Sequence, residues 1–169
     1  MAGLIHEKLD IKILILYILK RMPGPVEGEV LFDMCAAGGG VEYFDYSDCL
    51  NELIATDHIN VDEDGLYSIT AKGIRNEEQV EGSLPFSARK ATDKAIRPEA
   101  ERISRANLIV AESLDAAGGK MVHLALSDGE GDLINLKLLV ADDAQATRIR
   151  KNFRRNAEKY YSEIIEMMT

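Results

Sequence analysis

Residues 11–19 read Ile-Lys-Ile-Leu-Ile-Leu-Tyr-Ile-Leu, and no other segment limits the fold as strongly. At helical spacing Ile11, Leu14, Ile15 and Ile18 form one stripe, while Ile13, Leu16, Tyr17 and Leu19 occupy most of the remaining circumference. A helix that is apolar nearly all round is buried on all sides. The stretch is too short to span a bilayer and is interrupted by Lys12. Charged residues precede it and no small-residue cleavage site follows, so a secretory leader is not expected and a cytoplasmic location is. A helix is therefore expected over residues 10–21, with Asp10 as its N-cap and Lys20 and Arg21 complementing the dipole in its last turn. Pro23-Gly24-Pro25 stops it. One small module can hardly cover such a helix, so either the second half of the chain or a second copy is expected to pack on it.

A second helix is expected over residues 26–37, with Val26, Val30, Leu31 and Met34 on its apolar face and Gly38-Gly39-Gly40 as the turn that ends it. The glycine run lacks a preceding strand and a following Lys-Ser/Thr pair, so it does not match a phosphate-cradling loop. In a third helix, over residues 45–57, Tyr46, Leu50, Leu53 and Ile54 recur at core spacing. Asp45, Ser47, Asp48, Asn51, Glu52 and Ala55 fall on or beside its other face. Ile59-Asn60-Val61 and residues 66–70 then flank an Asp-Gly turn, which marks a β-hairpin. A fourth helix follows to about residue 81. Three helices and a hairpin in this order make a winged helix-turn-helix, placed at residues 1–82.

The segment Leu66-Tyr67-Ser68-Ile69-Thr70-Ala71-Lys72-Gly73 resembles the end of the wing in MarR-like and PadR-like regulators. There, a strand closes on an aromatic residue and an apolar-Thr pair, with a Gly three residues after the Thr. Residues 53–59 resemble the leucine-rich end of a recognition helix running into the wing. Thr70 can cap the next helix, and the alternating apolar residues can pin the wing to the third helix. Over nearly the whole chain, the layout resembles a bacterial winged-helix family of uncharacterised regulators. That layout is a winged helix, a Pro-containing charged segment, a three-strand run and a long Tyr-rich last helix. The resemblance implies this fold and DNA binding, and it names no effector ligand.

Residues 83–105 form a charged helical linker in which Pro85 can open a helix and Pro98 must kink or restart one. Its basic residues, Arg89, Lys90, Lys94, Arg97, Arg102 and Arg105, are either a solvated face balanced by Asp93, Glu99 and Glu101 or a phosphate-contacting surface. From residue 106 the period changes to that of strands. A strand over 106–114 and a Gly118-Gly119 turn lead to Val122, Leu124 and Leu126, which alternate with polar or small residues. Ile134, Leu136, Leu138 and Val140 repeat the pattern, giving an antiparallel meander with one buried face. A long helix then runs from about Asp143 to Met168, its stripe of Ala146, Ile149, Phe153, Ala157, Tyr160, Ile164 and Met168 facing the sheet. The expected class is α+β: an N-terminal winged helix-turn-helix, then a three-stranded antiparallel sheet (residues 106–169) covered by a long C-terminal helix.

Charge distribution bears on function. The net charge of −9 belongs to residues 1–80, which hold six Lys/Arg against fifteen Asp/Glu; the remainder is balanced. An acidic module repels phosphate, the opposite of the usual nucleic-acid footprint. As a recognition helix, the third helix offers Asn51 for adenine, Ser47 for general use, and Asp48 or Glu52 for a cytosine amino group. Lys72 and Arg75 are the nearest cations beyond the wing, whose tip is Asp62-Glu63-Asp64. A denser patch lies in the last helix, where Arg148, Lys151 and Arg155 share one face and Arg150 and Arg154 flank it. That patch is either a phosphate clamp or the partner of an acidic surface. His6, His58 and His123 are scattered, and Cys35 and Cys49 lack metal-ligand spacing, so they are expected as buried thiols. No catalytic motif is present, and no enzyme activity, metal or cofactor is expected. Two functions stay open: a homodimeric DNA-binding transcription regulator, with dimer surface on its first and last helices, and a winged helix that docks protein instead of DNA.

Overall fold

The structure, a computed structural model, describes residues 7–169; His6 lies outside them. It divides into two compact units, one ending at Ile103 and the other spanning Ser104–Thr169. No helix among the described residues is long and apolar enough to cross a membrane.

In the first unit, α1 (Lys8–Arg21) buries Ile11 and every residue from Ile13 to Leu19. It starts earlier than Asp10, which sits in the first turn and caps nothing; the N-cap position is Glu7. Packed on α1 are α2 (Gly28–Gly39), α3 (Tyr43–Ala55) and α4 (Ala71–Val80). The last cover comes from α5 (Phe86–Asn107), whose Ala88, Ile96 and Ile103 join the same core. The first helix is thus covered by a helix from the second half of the chain, one of the two covers expected, and a second copy is not needed for it. The density of Arg and Lys in residues 83–105 obscured a buried stripe at helical spacing. That helix also runs through Pro98 without restarting.

The hairpin of β1 (Ile59–Val61) and β2 (Tyr67–Ile69) pairs Ile59 with Ile69 and Val61 with Tyr67. Val26, expected at the start of α2, instead exchanges two backbone hydrogen bonds with Tyr67, at 2.9 and 2.8 Å, and extends the hairpin. Gly40, at φ 68°, caps α2 in the left-handed region that favours glycine. Thr70 is the N-cap of α4, its Oγ1 accepting the Gly73 N–H at 3.1 Å.

One buried charge ties α1 to α4. The Glu77 side chain is fully buried and accepts from Lys20 Nζ at 2.6 Å and Arg21 Nη1 at 3.2 Å. Arg21 also donates to Glu81 and stacks 3.4 Å over the Tyr17 ring. Burial, then the hydrogen bond that Tyr17 donates to Asp93, pushes the phenol up to about 12.

Thr92 of α5 is equally buried, but its Oγ1 has no hydrogen-bond partner among the described residues. An unsatisfied buried hydroxyl costs about 1–3 kcal/mol. Thr92→Val, of the same shape, is therefore expected to leave stability unchanged or raise it by up to ~1 kcal/mol in urea denaturation. A clear loss would mean that the hydroxyl has a partner.

The second unit is an antiparallel sheet in the order β3 (Ile109–Ala116), β4 (Gly119–Ser127), β5 (Asp132–Val140), with α6 (Asp143–Met168) across one face. The α+β class is as expected. The first strand starts later than residue 106 because α5 continues to Asn107. Asp142 caps α6, its Oδ1 accepting the Gln145 N–H at 2.7 Å. Ala146, Phe153 and Ala157 are buried against the sheet, with Ile149, Tyr160 and Ile164 packed beside them. Helical geometry breaks at Asn156, and Met168 is 81% exposed rather than on the sheet. A 26-residue helix, at 1.5 Å per residue, is longer than three 8- or 9-residue strands can cover.

Candidate functional site

Two helices, α2 and α3, and one strand residue, Tyr67 of β2, line a groove on the first unit. Helix α3 begins at Tyr43, two residues earlier than its apolar period suggests, so Tyr43 and Phe44 become helical instead of lying in a loop. Tyr46 faces inward and is buried, its hydroxyl donating to the Gly28 carbonyl at 3.3 Å; burial raises its pKa far above the ordinary tyrosine value. Tyr43 and Phe44, 59% and 83% exposed, point outward. Phe32 of α2 meets the Tyr43 ring edge-on and the Tyr46 ring at a tilt, both with centroids 5.2 Å apart.

The Phe32, Tyr43 and Tyr46 rings border this groove of about 550 Å³, and Tyr67 of the wing also lines it. Glu29 and Asp33 line it from α2, and Ser47 and Asn51 from α3. No Lys or Arg occurs from Met22 to Ala71, a stretch with eleven Asp and Glu that contains α2, α3 and the whole wing. The groove is therefore aromatic on its walls and negative at its rim.

The expected recognition residues of α3 separate into two pairs. Ser47, half-buried, and Asn51, exposed, belong to the groove. Asp48 and Glu52 turn the other way, toward α1. Lys8 Nζ donates to Asp48 at 3.3 Å, and Lys12 donates to Glu52. The hydrogen bond from Lys12 holds the Glu52 carboxyl below its ordinary value, and the one to Asp48 raises Lys8. Both acids thus have cationic partners from α1, each through one carboxylate oxygen.

The cations expected to help are dispersed. Lys72 donates to the Thr56 carbonyl at 2.7 Å, and Arg75 is exposed on α4. At the wing tip the Asp62 carboxylate accepts the Asp64 and Leu66 N–H groups, an exposed Asx-type turn. In the second unit Arg154 donates to the Ala111 carbonyl and Arg150 to Thr147. Arg148, Lys151 and Arg155 are exposed on α6, without an ion pair to any described residue.

Other reactive groups are absorbed by the fold. Cys35 and Cys49 are free, buried thiols, and burial raises both pKa values. His58 sits between Thr56 Oγ1 and Asn76, and burial followed by Lys72 lowers its pKa. His123 lies between Glu112 and Asn135. Among the described residues no three His, Cys, Asp or Glu side chains come together to hold a metal ion.

Phe32, Glu29, Asp33 and Tyr43 of the groove were not anticipated as site residues. The available signal was the adjacent aromatic pair Tyr43-Phe44, which lies directly before the expected start of the third helix and outside its apolar period. A family model described as a domain of unknown function, DUF4364, matches residues 11–168. No curated protein and no solved structure matches the chain.

Proposed function

We propose that this chain, which belongs to the DUF4364 family, uses its winged helix to dock a partner protein in the α2–α3 groove rather than to read DNA. The partner segment is cationic with an apolar anchor. One observation carries the reading: the face that would enter a major groove has exposed aromatic rings and carboxylates but no Lys or Arg. Phosphates surround any base that a helix can reach, and each neighbouring carboxylate opposes them. Aromatic rings in a desolvated groove, by contrast, are the usual anchors of protein interfaces, and a carboxylate rim selects Lys and Arg.

A second reading keeps the DNA-binding regulator. It is favoured by Arg148, Lys151 and Arg155, exposed and without ion pairs to described residues. In this case those three would hold phosphates, while Ser47 and Asn51 met base edges.

Fluorescence anisotropy with DNA duplexes tiled from the region upstream of the chain's own gene separates the two. Docking of protein predicts weak binding that vanishes between low and near-physiological salt. Tight, salt-resistant binding to one duplex, weakened about equally for all sequences by reversing Arg148, Lys151 and Arg155, would establish the regulator instead. The positive arm is a nuclear magnetic resonance titration with a short Lys- and Leu-containing peptide, beside an all-Lys peptide of equal charge. Shifts concentrated at Phe32, Tyr43, Ser47 and Asn51 and specific to the Leu-containing peptide are expected. Identical, dispersed shifts with both peptides would refute the groove as a docking site.

A further inference from the structure

The sheet of the second unit has two faces, and α6 covers one. The residues that alternate with the buried set form the other face. Because the three strands are in register, it is organised in rows running across the sheet. Leu114, Met121 and Leu139 make one row; Glu112, His123 and Lys137 make the next; Val110, Ala125 and Asn135 make the third. Leu114 and Leu139 are 70% and 57% exposed, unusual values for leucines at strand positions. The middle row is polar and ordered by sign: acid on β3, imidazole on β4, ammonium on β5. His123 Nδ1 lies 3.3 Å from Glu112 and Nε2 lies 3.1 Å from Asn135, whereas Lys137 has no ion pair with any described residue.

We infer that a second copy of this chain covers this face, on a two-fold axis running along β4 midway between the two sheets. Such an axis exchanges β3 with β5 while keeping each row at its own height. Glu112 of one copy then faces Lys137 of the other, twice per dimer. Leu114 faces Leu139, also twice, and Met121, His123 and Ala125 lie over their own counterparts. Two of the three rows are therefore self-complementary in charge and apolarity, which a two-fold interface requires, while the third sets Val110 over Asn135. Stacked sheets pack about 10 Å apart with strands within about 30° of one another, so β-strand side chains reach across without backbone change. A random partner has no reason to match a row that runs carboxylate, imidazole, ammonium; a second copy rotated about β4 matches it by symmetry. The pairing does not depend on what the α2–α3 groove holds.

The test is sedimentation equilibrium across the micromolar range on the full chain, with circular dichroism melts to establish that each variant is folded. Wild type is expected to dimerise. Glu112→Lys and Lys137→Glu are each expected to raise the dimer dissociation constant about tenfold or more, because each sets like charges opposite one another twice. The double variant, with the row reversed, is expected to recover the wild-type constant. Leu139→Asp is expected to give a monomer. A monomeric wild type would overturn the inference. So would a dimer indifferent to Leu139→Asp, or single charge variants that the double variant fails to rescue.

Discussion

Glu77→Ala is expected to lower the stability of the first unit by about 3 kcal/mol or more, making it the most damaging change to a charged residue here. The carboxylate is fully buried and holds Lys20 and Arg21 of α1 against α4. Truncation removes the one buried carboxylate that pairs with both the Lys20 ammonium and the Arg21 guanidinium. Breaking a buried pair from one side typically costs about 3–5 kcal/mol. Lys20 and Arg21 retain 25% and 32% side-chain exposure, and Arg21 keeps Glu81, so the cations can partly rehydrate and the lower end of that range applies. In a domain of this size the melting temperature falls by roughly 12 °C or more. Glu78→Gln is the control. That side chain is 58% exposed and 3.6 Å from Lys20, and an exposed pair contributes about 1 kcal/mol or less. Equal melts for the two variants would show that Glu77 is not the buried tie between the helices.

Gly73→Ala is expected to destabilise by about 2 kcal/mol, although alanine is the better helix former by about 1 kcal/mol. A Cβ at Gly73 would lie 2.4 Å from the His58 carbonyl oxygen and 2.7 Å from Ile69 Cγ1. The Ile69 side chain can give way, but the carbonyl cannot easily do so. The Thr70 backbone N–H donates to it at 3.0 Å, and the Thr70 hydroxyl ties down the neighbouring Asp57 carbonyl at 2.7 Å. Overpacking against backbone sits at the upper end of the usual ~1–3 kcal/mol, which exceeds the propensity gain. Gly82 supplies the comparison, since a Cβ there meets nothing within 4 Å. Urea midpoints should fall for Gly73→Ala and hold or rise slightly for Gly82→Ala. A Gly73→Ala variant as stable as wild type would mean that the wing moves freely against α4.

The wing end shows how far local pattern reaches. Thr70 as a cap, the Gly three residues on and the Asp-Gly turn are properties of a few adjacent residues, and each occurs where its chemistry predicts. The alternation in β4 and β5, and the stripe of α6 as far as Ile164, are likewise periodic and were legible. What escaped was decided by partners distant in sequence. The charged segment 83–105 reads as solvated because six cations and three acids are spread along it. Its Ala88, Thr92, Ile96 and Ile103 are buried because α1 left an apolar side that something had to cover. Asp48 and Glu52 read as exposed recognition residues, yet Lys8 and Lys12 lie 40 residues earlier and meet them only once α1 packs on α3.

By itself, then, the sequence determined the order of elements, the acidic character of the first unit and the absence of cations from α2 to the wing. All of these follow from composition and from periods of two and 3.6 residues, which need no neighbours. Only the tertiary structure decided which acids were already paired, which aromatics stayed exposed and which face of the sheet was left open. Those are outcomes of packing, and a side chain's surroundings are set by whichever remote segment reaches it first.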